Sequence, residues 1–512
     1  MQLEKLLKNV QKINIVGKAE INIEKICYDS RKIEKNDMFI CIKGFEHDGH
    51  LFIEEAIENG ATVIVVEAGH KWKHKGTVLL CLSKRTQQDT REPSPCVSLP
   101  TIVYVEDTRK AMAEIANNFY ETPSAKMKIV GITGTNGKTS VSYMLMDILK
   151  KNGNKSGLIG TISYTTGKAK QTAMRTTPES IDLNRLLNDM VVNNMDSCVM
   201  EVSSHSLELD RVWGIHFNVG VFTNLSSDHL DFHGNLENYK NAKKKLFTKT
   251  EQFNVINIDD EVGAEIAKEF DKLSTPVLTY GINSCASIYA KEIKLTNLSV
   301  DFDLVTPTFN TRVRINTPGL FTVYNALAAI SSAYALKISE SAIVKGITSF
   351  RGVPGRFMRV QEFNEISVIV DYAHTPDGLL NVLNTINAFK KNRIITVFGC
   401  GGDRDKKKRS VMGRIAGKLS DFTIITSDNP RSEKAELIAS MIVEGIKETD
   451  ANYKVILNRK DAINYAIKHA KVGDTILIAG KGHETTQVVG EKTLYFNDTE
   501  TAILVGREEG II

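Results

Sequence analysis

Residues 127–139 read Met-Lys-Ile-Val-Gly-Ile-Thr-Gly-Thr-Asn-Gly-Lys-Thr, and this stretch constrains the fold more than any other. An apolar, β-branched run enters a glycine-bearing loop, and Val141, Met144, Leu145, Ile148 and Leu149 then recur at helical spacing. A strand, a tight loop and a helix in that order bring backbone N–H groups and the positive end of a helix to one point, which suits phosphate. Gly134 and Gly137 let the backbone close around phosphate oxygens, with Thr135, Asn136 and Ser140 in and beside the loop. Lys138 can reach the terminal phosphates, and the Thr139 hydroxyl suits Mg²⁺. Ile132 stands where the strict GxxxxGK[ST] spacing has its first glycine, so a chance glycine turn is the competing reading. A phosphate loop alone leaves kinase, GTPase, motor and ligase open.

With 512 residues the chain is several times the ~150-residue length of an average domain, so two to four domains are expected. Apolar residues at 42% and charged residues at 25% exclude a largely disordered, collagen-like or coiled-coil chain. Lys+Arg 65 against Asp+Glu 61 gives a net charge of +4, and no basic stretch is studded with aromatics, so no nucleic-acid partner is expected. The seven cysteines are scattered and never form CxxC, which suggests neither a disulfide framework nor a thiolate zinc site. No run reaches the ~18 apolar residues of a membrane span, so a cytoplasmic protein without a membrane partner is expected.

Runs at 37–42 and 61–66 flank a helical pattern in a first α/β domain. The polar stretch 83–100, with three prolines between strand-like runs 77–82 and 101–105, reads as a surface insertion. Thr122-Pro123 breaks a helix, giving a first domain at 1–124. Apolar runs at 198–202, 219–222 and 255–258 alternate with helices, as in a doubly wound parallel sheet, over 125–350. After the turn-rich segment 350–356 the alternation restarts, giving a third α/β domain at 351–512.

Glu201 follows the 198–200 strand, so it lies at a carboxyl edge where ligands bind, and its carboxylate suits Mg²⁺. For His229 alone, a hydrogen-bonded loop histidine is the plainer reading. On the lysine-rich helix 237–247, Tyr239, Ala242, Lys243 and Leu246 fall at i, i+3, i+4 and i+7. Lys243 is therefore expected to point inward, whereas Lys240 and Lys244 project elsewhere. An unpaired buried ammonium near Mg²⁺ is unfavourable, which points to a depressed pKa and a modified, anionic side chain.

At this point the sequence resembles the Mur ligases, the ATP-dependent amide-forming enzymes that build the peptidoglycan stem peptide. The resemblance spans nearly the whole chain through Gly134-Thr135-Asn136-Gly137-Lys138-Thr139, Glu201-Val202-Ser203-Ser204-His205, Asp228-His229-Leu230-Asp231, residues 319–325, Pro354-Gly355-Arg356 and Asp371-Tyr372-Ala373-His374-Thr375-Pro376. Tyr28-Asp29-Ser30-Arg31, Thr176-Thr177-Pro178 and Asp428-Asn429-Pro430-Arg431 make it most similar to the branch that adds the third stem residue.

The resemblance implies a smaller uridine-nucleotide-binding first domain, a central ATPase domain and a Rossmann-like third domain. It implies that Ser30, Phe45, Glu46 and His47 meet the uridine end, and that Thr176, Thr177, Ser203 and Arg211 hold the sugar-peptide and its phosphates. Lys138 and Thr139 would serve ATP and Mg²⁺, Glu201 and His229 would ligate metal, and Asn325 would lie near adenine. Lys243 matches a lysine that relatives carbamylate to ligate a second Mg²⁺, which makes Lys138, Lys243 and His229 the implied catalytic group. Arg404, Asp428, Asn429, Pro430, Arg431, Gly480 and Glu484 match the amino-acid pocket. The implied substrates are small molecules: ATP, UDP-N-acetylmuramoyl-L-Ala-D-Glu and a diamino acid, meso-diaminopimelate before L-lysine. A monomer is expected. The rival readings are a folylpolyglutamate synthetase-like ligase and a nucleotide-binding ATPase that forms no amide bond.

Overall fold

In a computed structural model of the chain, residues 1–44, 47–70, 99–167, 170–282 and 285–512 are described. Two compact units are present: Met1–Lys128 with Thr177–Asn194 and His205–His216, and Ile129–Thr176 with Met195–Ser204 and Phe217–Ile512. The first unit therefore takes in two segments from beyond residue 128.

The sheet of the first unit runs Lys12–Val16, Thr101–Val105, Val63–Glu67, Met38–Ile40, Ile26–Cys27, and only its first pair is antiparallel. Met38, Ile40, Val63 and Val65 face one core, and Phe39, Ile64 and Val66 face the other. Burial on both faces is why these strands read as unbroken apolar runs. The strand expected at 77–82, and the insertion at 83–100 apart from its last two residues, lie outside the described residues.

In the second unit an eleven-stranded sheet is parallel from Ser156–Ile159 through Ser197–Glu201, Lys128–Thr133, Phe217–Phe222, Thr250–Asn257 and Val277–Gly281 to Ile288–Leu295. Antiparallel strands, among them Val300–Val305 and Asn310–Ile315, extend the expected parallel sheet at its edges. Val300–Val305 alternates buried and half-buried residues, as a strand with one covered face does. From Lys128–Thr133 the chain crosses first to one side of that strand and later to the other, which opens a crevice at the carboxyl ends. The helices Lys138–Lys151, Leu320–Ala335 and Glu340–Ser349 share one core with the sheet.

A six-stranded sheet follows in the order Met358–Val360, Ser367–Asp371, Thr475–Ala479, Ile394–Phe398, Phe422–Ile425, Tyr453–Val455, with separate apolar cores on its two faces. No helix among the described residues is long and apolar enough to cross a membrane.

Candidate active site

The strand Lys128–Thr133 is buried from its second residue onward and delivers the loop to the crevice. Gly134 has φ +146° and Gly137 φ +89°; a Cβ would lie 1.9 Å from Thr223 Oγ1 at the first and 2.4 Å from Asn325 Oδ1 at the second. Only glycine fits at either place. The loop is pinned by the residues after Phe217–Phe222. Thr135 N donates to Asn224 O (2.8 Å), Asn136 N to Asn224 Oδ1 (2.9 Å), and Thr223 Oγ1 to Asn136 O (2.6 Å). Lys138 Nζ folds back onto the loop and donates to the carbonyls of Gly134 (2.8 Å) and Thr135 (2.9 Å). Burial lowers its pKa, against the raising effect of Glu201 and Asp228. Asn136, Gly137, Ser140, Tyr324, Asn325 and Arg356 help line a cavity of about 440 Å³ at this loop.

Glu201 ends the strand beside Lys128–Thr133. Its Oε2 accepts from Thr139 Oγ1 (3.0 Å) and Thr161 Oγ1 (2.8 Å), and its Oε1 from Thr161 N (3.0 Å). Thr161 Oγ1 also meets Thr176 Oγ1 at 3.1 Å. Arg356, from the Pro-Gly-Arg turn, donates to Thr139 Oγ1 at 3.3 Å. Thr161 and Arg356 had no role assigned from the sequence; Thr161 sits in no motif, and only the neighbouring of two strands brings it to Glu201.

Lys243, on the helix Leu236–Lys244, is 1% exposed, as are its stripe-mates Tyr239 and Ala242. Its Nζ lies 4.3 Å from the Tyr239 ring centre. Burial drives its pKa well below the ordinary lysine value, and the Lys138 charge adds to that. Lys240 pairs outward with Glu237 and Glu265, and Lys244 with Glu269. His229 Nε2 is 3.4 Å from Asp228 Oδ2, and His374 Nε2 is 3.9 Å from the same oxygen. Burial alone would raise the Asp228 pKa; the charges of His229, His374 and Lys408 hold it below the usual carboxylate value. Among the described residues no three His, Cys, Asp or Glu side chains form a metal-holding group.

The expected amino-acid residues follow the carboxyl ends of Ile394–Phe398, Phe422–Ile425 and Thr475–Ala479. Arg431, at φ +51°, donates through Nη1 to Gly402 O (2.8 Å), and Arg404 donates to Asp403 O (2.8 Å). Burial, and then the Arg404 charge, lower the Arg431 pKa. Two guanidiniums held near one another make a receptor for an anion. Asn429 Nδ2 donates to Glu484 Oε2 (2.9 Å), Pro430 O accepts from Glu433 N (3.0 Å), and Gly480 N donates to Asp371 O (3.0 Å). Burial pushes the Asp428 pKa up.

In the first unit Ser30 Oγ donates to Glu55 Oε2 (2.6 Å), and the His47 ring meets Phe52 edge-on. Arg211 donates to Thr177 O (3.2 Å) and pairs with Glu179 (2.8 Å). Ser203, in the second unit, follows the Ser197–Glu201 strand by two residues. Phe45 and Glu46 lie outside the described residues.

Three family profiles tile this architecture: "Mur ligase family, catalytic domain" at residues 22–120, "Mur ligase middle domain" at 132–333 and "Mur ligase, glutamate ligase domain" at 355–482. The chain belongs to the Mur ligase family. Among Mur ligases it is similar to the UDP-N-acetylmuramoyl-L-alanyl-D-glutamate–2,6-diaminopimelate ligase of Alkaliphilus metalliredigens, at 49% identity over 100% of this chain and 99% of that one. A solved structure of a ligase with the same name matches with a TM-score of 0.66 at 27% identity, covering 100% of this chain and 99% of the other. The MurF ligase of Thermotoga maritima, solved in complex with ADP, shares the Mur ligase fold with a TM-score of 0.61 at 18% identity over 95% of this chain and 97% of that one.

Proposed function

We propose that this Mur ligase joins meso-diaminopimelate to the D-Glu of UDP-N-acetylmuramoyl-L-Ala-D-Glu, converting ATP to ADP and phosphate. The observation that carries the reading is the 49% identity, end to end, with a ligase named for these substrates. The γ-carboxylate of D-Glu attacks the γ-phosphorus of ATP and releases ADP; the amine of the incoming amino acid then displaces phosphate from the acyl phosphate. Negative charge builds in both steps. Lys138 and the loop N–H groups are placed to stabilise it, so positioning and electrostatics carry the catalysis.

Mg²⁺ fits the oxygen donors present. The Thr139 hydroxyl and the Glu201 carboxylate converge within 3.0 Å, and a small set of protein ligands suits an ion that keeps waters and phosphate oxygens. Thr139, Glu201 and His229 would hold Mg²⁺ and a carbamylated Lys243 would ligate a second Mg²⁺, and the two ions would supply charge neutralisation at the transferring phosphate. A buried amine of lowered pKa is the form that can take up CO₂. Asn325, which touches Gly137, is assigned to the adenine end, with Gly134, Thr135, Asn136 and Ser140 around the phosphates. Ser30, Phe45, Glu46 and His47 are assigned to uridine, and Thr176, Thr177, Ser203 and Arg211 to the sugar-peptide.

Meso-diaminopimelate differs from L-lysine by one carboxylate on the distal carbon. Arg431 and Arg404 are the groups for that carboxylate, and Asp428, Asn429 and Glu484 the acceptors for the ammonium beside it. A charge-assisted hydrogen bond contributes about 1.5 to 3 kcal/mol, so roughly 10- to 100-fold preference per bond is expected. Steady-state kinetics with each amino acid, on wild type and Arg431→Ala, test this. The wild type is expected to prefer diaminopimelate and the variant to lose most of that preference. Equal kcat/KM for the two in the wild type would refute the assignment.

A further inference from the structure

Lys481 follows the strand Thr475–Ala479 by two residues, and its side chain is wholly buried. A buried ammonium is costly unless its three N–H bonds are all used. Here they are: Nζ donates to Glu484 Oε2 (2.9 Å), to Asn429 Oδ1 (3.3 Å) and to the Thr486 carbonyl (2.6 Å). These acceptors come from two loops, one carrying Asp428 to Arg431 and one carrying Glu484. Asn429 Oδ1 takes a further hydrogen bond from Val488 N (2.9 Å), so its amide has one orientation, with Nδ2 turned to Glu484 Oε2 (2.9 Å). Glu484 Oε2 thus receives two donors, while its Oε1 takes no hydrogen bond from the described residues. The Glu484 side chain is 29% exposed, so that second oxygen remains open to a ligand.

We propose that Lys481 is a positioning residue for amino-acid selection: it ties the two loops together and aims Glu484 Oε1 at the ammonium of the incoming diamino acid. The inference rests on the pocket assignment above and deepens it. Lys481 touches no substrate itself. Burial raises the Glu484 carboxyl, and Lys481, together with the Asn429 hydrogen bond and His483, brings it below its ordinary value.

The test is a double-mutant cycle on the full chain, with KM measured for meso-diaminopimelate and for ATP. Lys481→Met and Lys481→Gln are each expected to raise KM for diaminopimelate by roughly 10- to 100-fold, the range of one lost charge-assisted hydrogen bond, with KM for ATP within about twofold of wild type. KM does not depend on the fraction of enzyme folded, so partial destabilisation does not mimic this split. If Lys481 acts through Glu484, adding Lys481→Met to Glu484→Gln should cost little more than Glu484→Gln alone. Full additivity, or a Lys481→Met enzyme with unchanged KM for diaminopimelate beside a weakened Glu484→Gln, would overturn the role of Lys481 while leaving the pocket intact. An unaffected Glu484→Gln enzyme would instead overturn the pocket assignment. Failure of both Lys481 variants to fold would make the residue a stabilising one and refute the positioning role.

Discussion

Lys138→Ala is expected to cut ATP-dependent turnover by roughly 100- to 1,000-fold or more, the scale on which a single preorganised donor contributes to a charged transition state. The fold should survive. Among the described residues Lys138 Nζ bonds only the Gly134 and Thr135 carbonyls of its own loop, so its truncation removes no contact to another element. The loop itself is held by Thr223 and Asn224, which the substitution leaves in place. Parallel measurement of kcat and of thermal unfolding checks this. A variant that turns over normally would remove the nucleotide site from this loop, and one that fails to fold would make Lys138 a structural residue.

The second large effect is expected at Lys243. Truncation to Ala removes a side chain buried beneath Tyr239 and, with it, the carbamate proposed to ligate metal. Activity should fall roughly 100-fold or more, as for loss of a group that stabilises transferring charge. A small carboxylate such as acetate can enter the space left behind and should restore part of the rate. Chemical rescue separates this role from packing, because an added carboxylate does not refill an apolar gap usefully. Full activity of Lys243→Ala without additive would refute the metal-ligand role.

What the sequence made legible follows from how local each signal is. The phosphate loop depends on residues adjacent in the chain, so its strand, glycines and helix could be read directly. The inward course of Lys243 followed from a single helical stripe, Tyr239, Ala242 and Lys243, and needed no tertiary information. Thr161, Arg356 and Lys481 were different. Thr161 reaches Glu201 across 40 positions of sequence, and Arg356 reaches Thr139 across 217. A lone threonine or lysine carries no spacing pattern, and its meaning exists only in the acceptors that folding brings to it. The antiparallel strands added to the central sheet were missed for a similar reason: alternation in Val300–Val305 shows one covered face but not which neighbour it pairs with.

On the proposed function, ATP is consumed to make one particular amide bond. ADP release should be followed in the presence of Mg²⁺ with ATP alone, with ATP and UDP-N-acetylmuramoyl-L-Ala-D-Glu, and with both plus meso-diaminopimelate, L-lysine or L-glutamate in turn. Multiple-turnover ADP release is expected only when the UDP-dipeptide and meso-diaminopimelate are both present, with one product heavier by one diaminopimelyl residue per ADP formed. Multiple-turnover release from ATP alone, or equal release with any of the three amino acids, would contradict the proposed function.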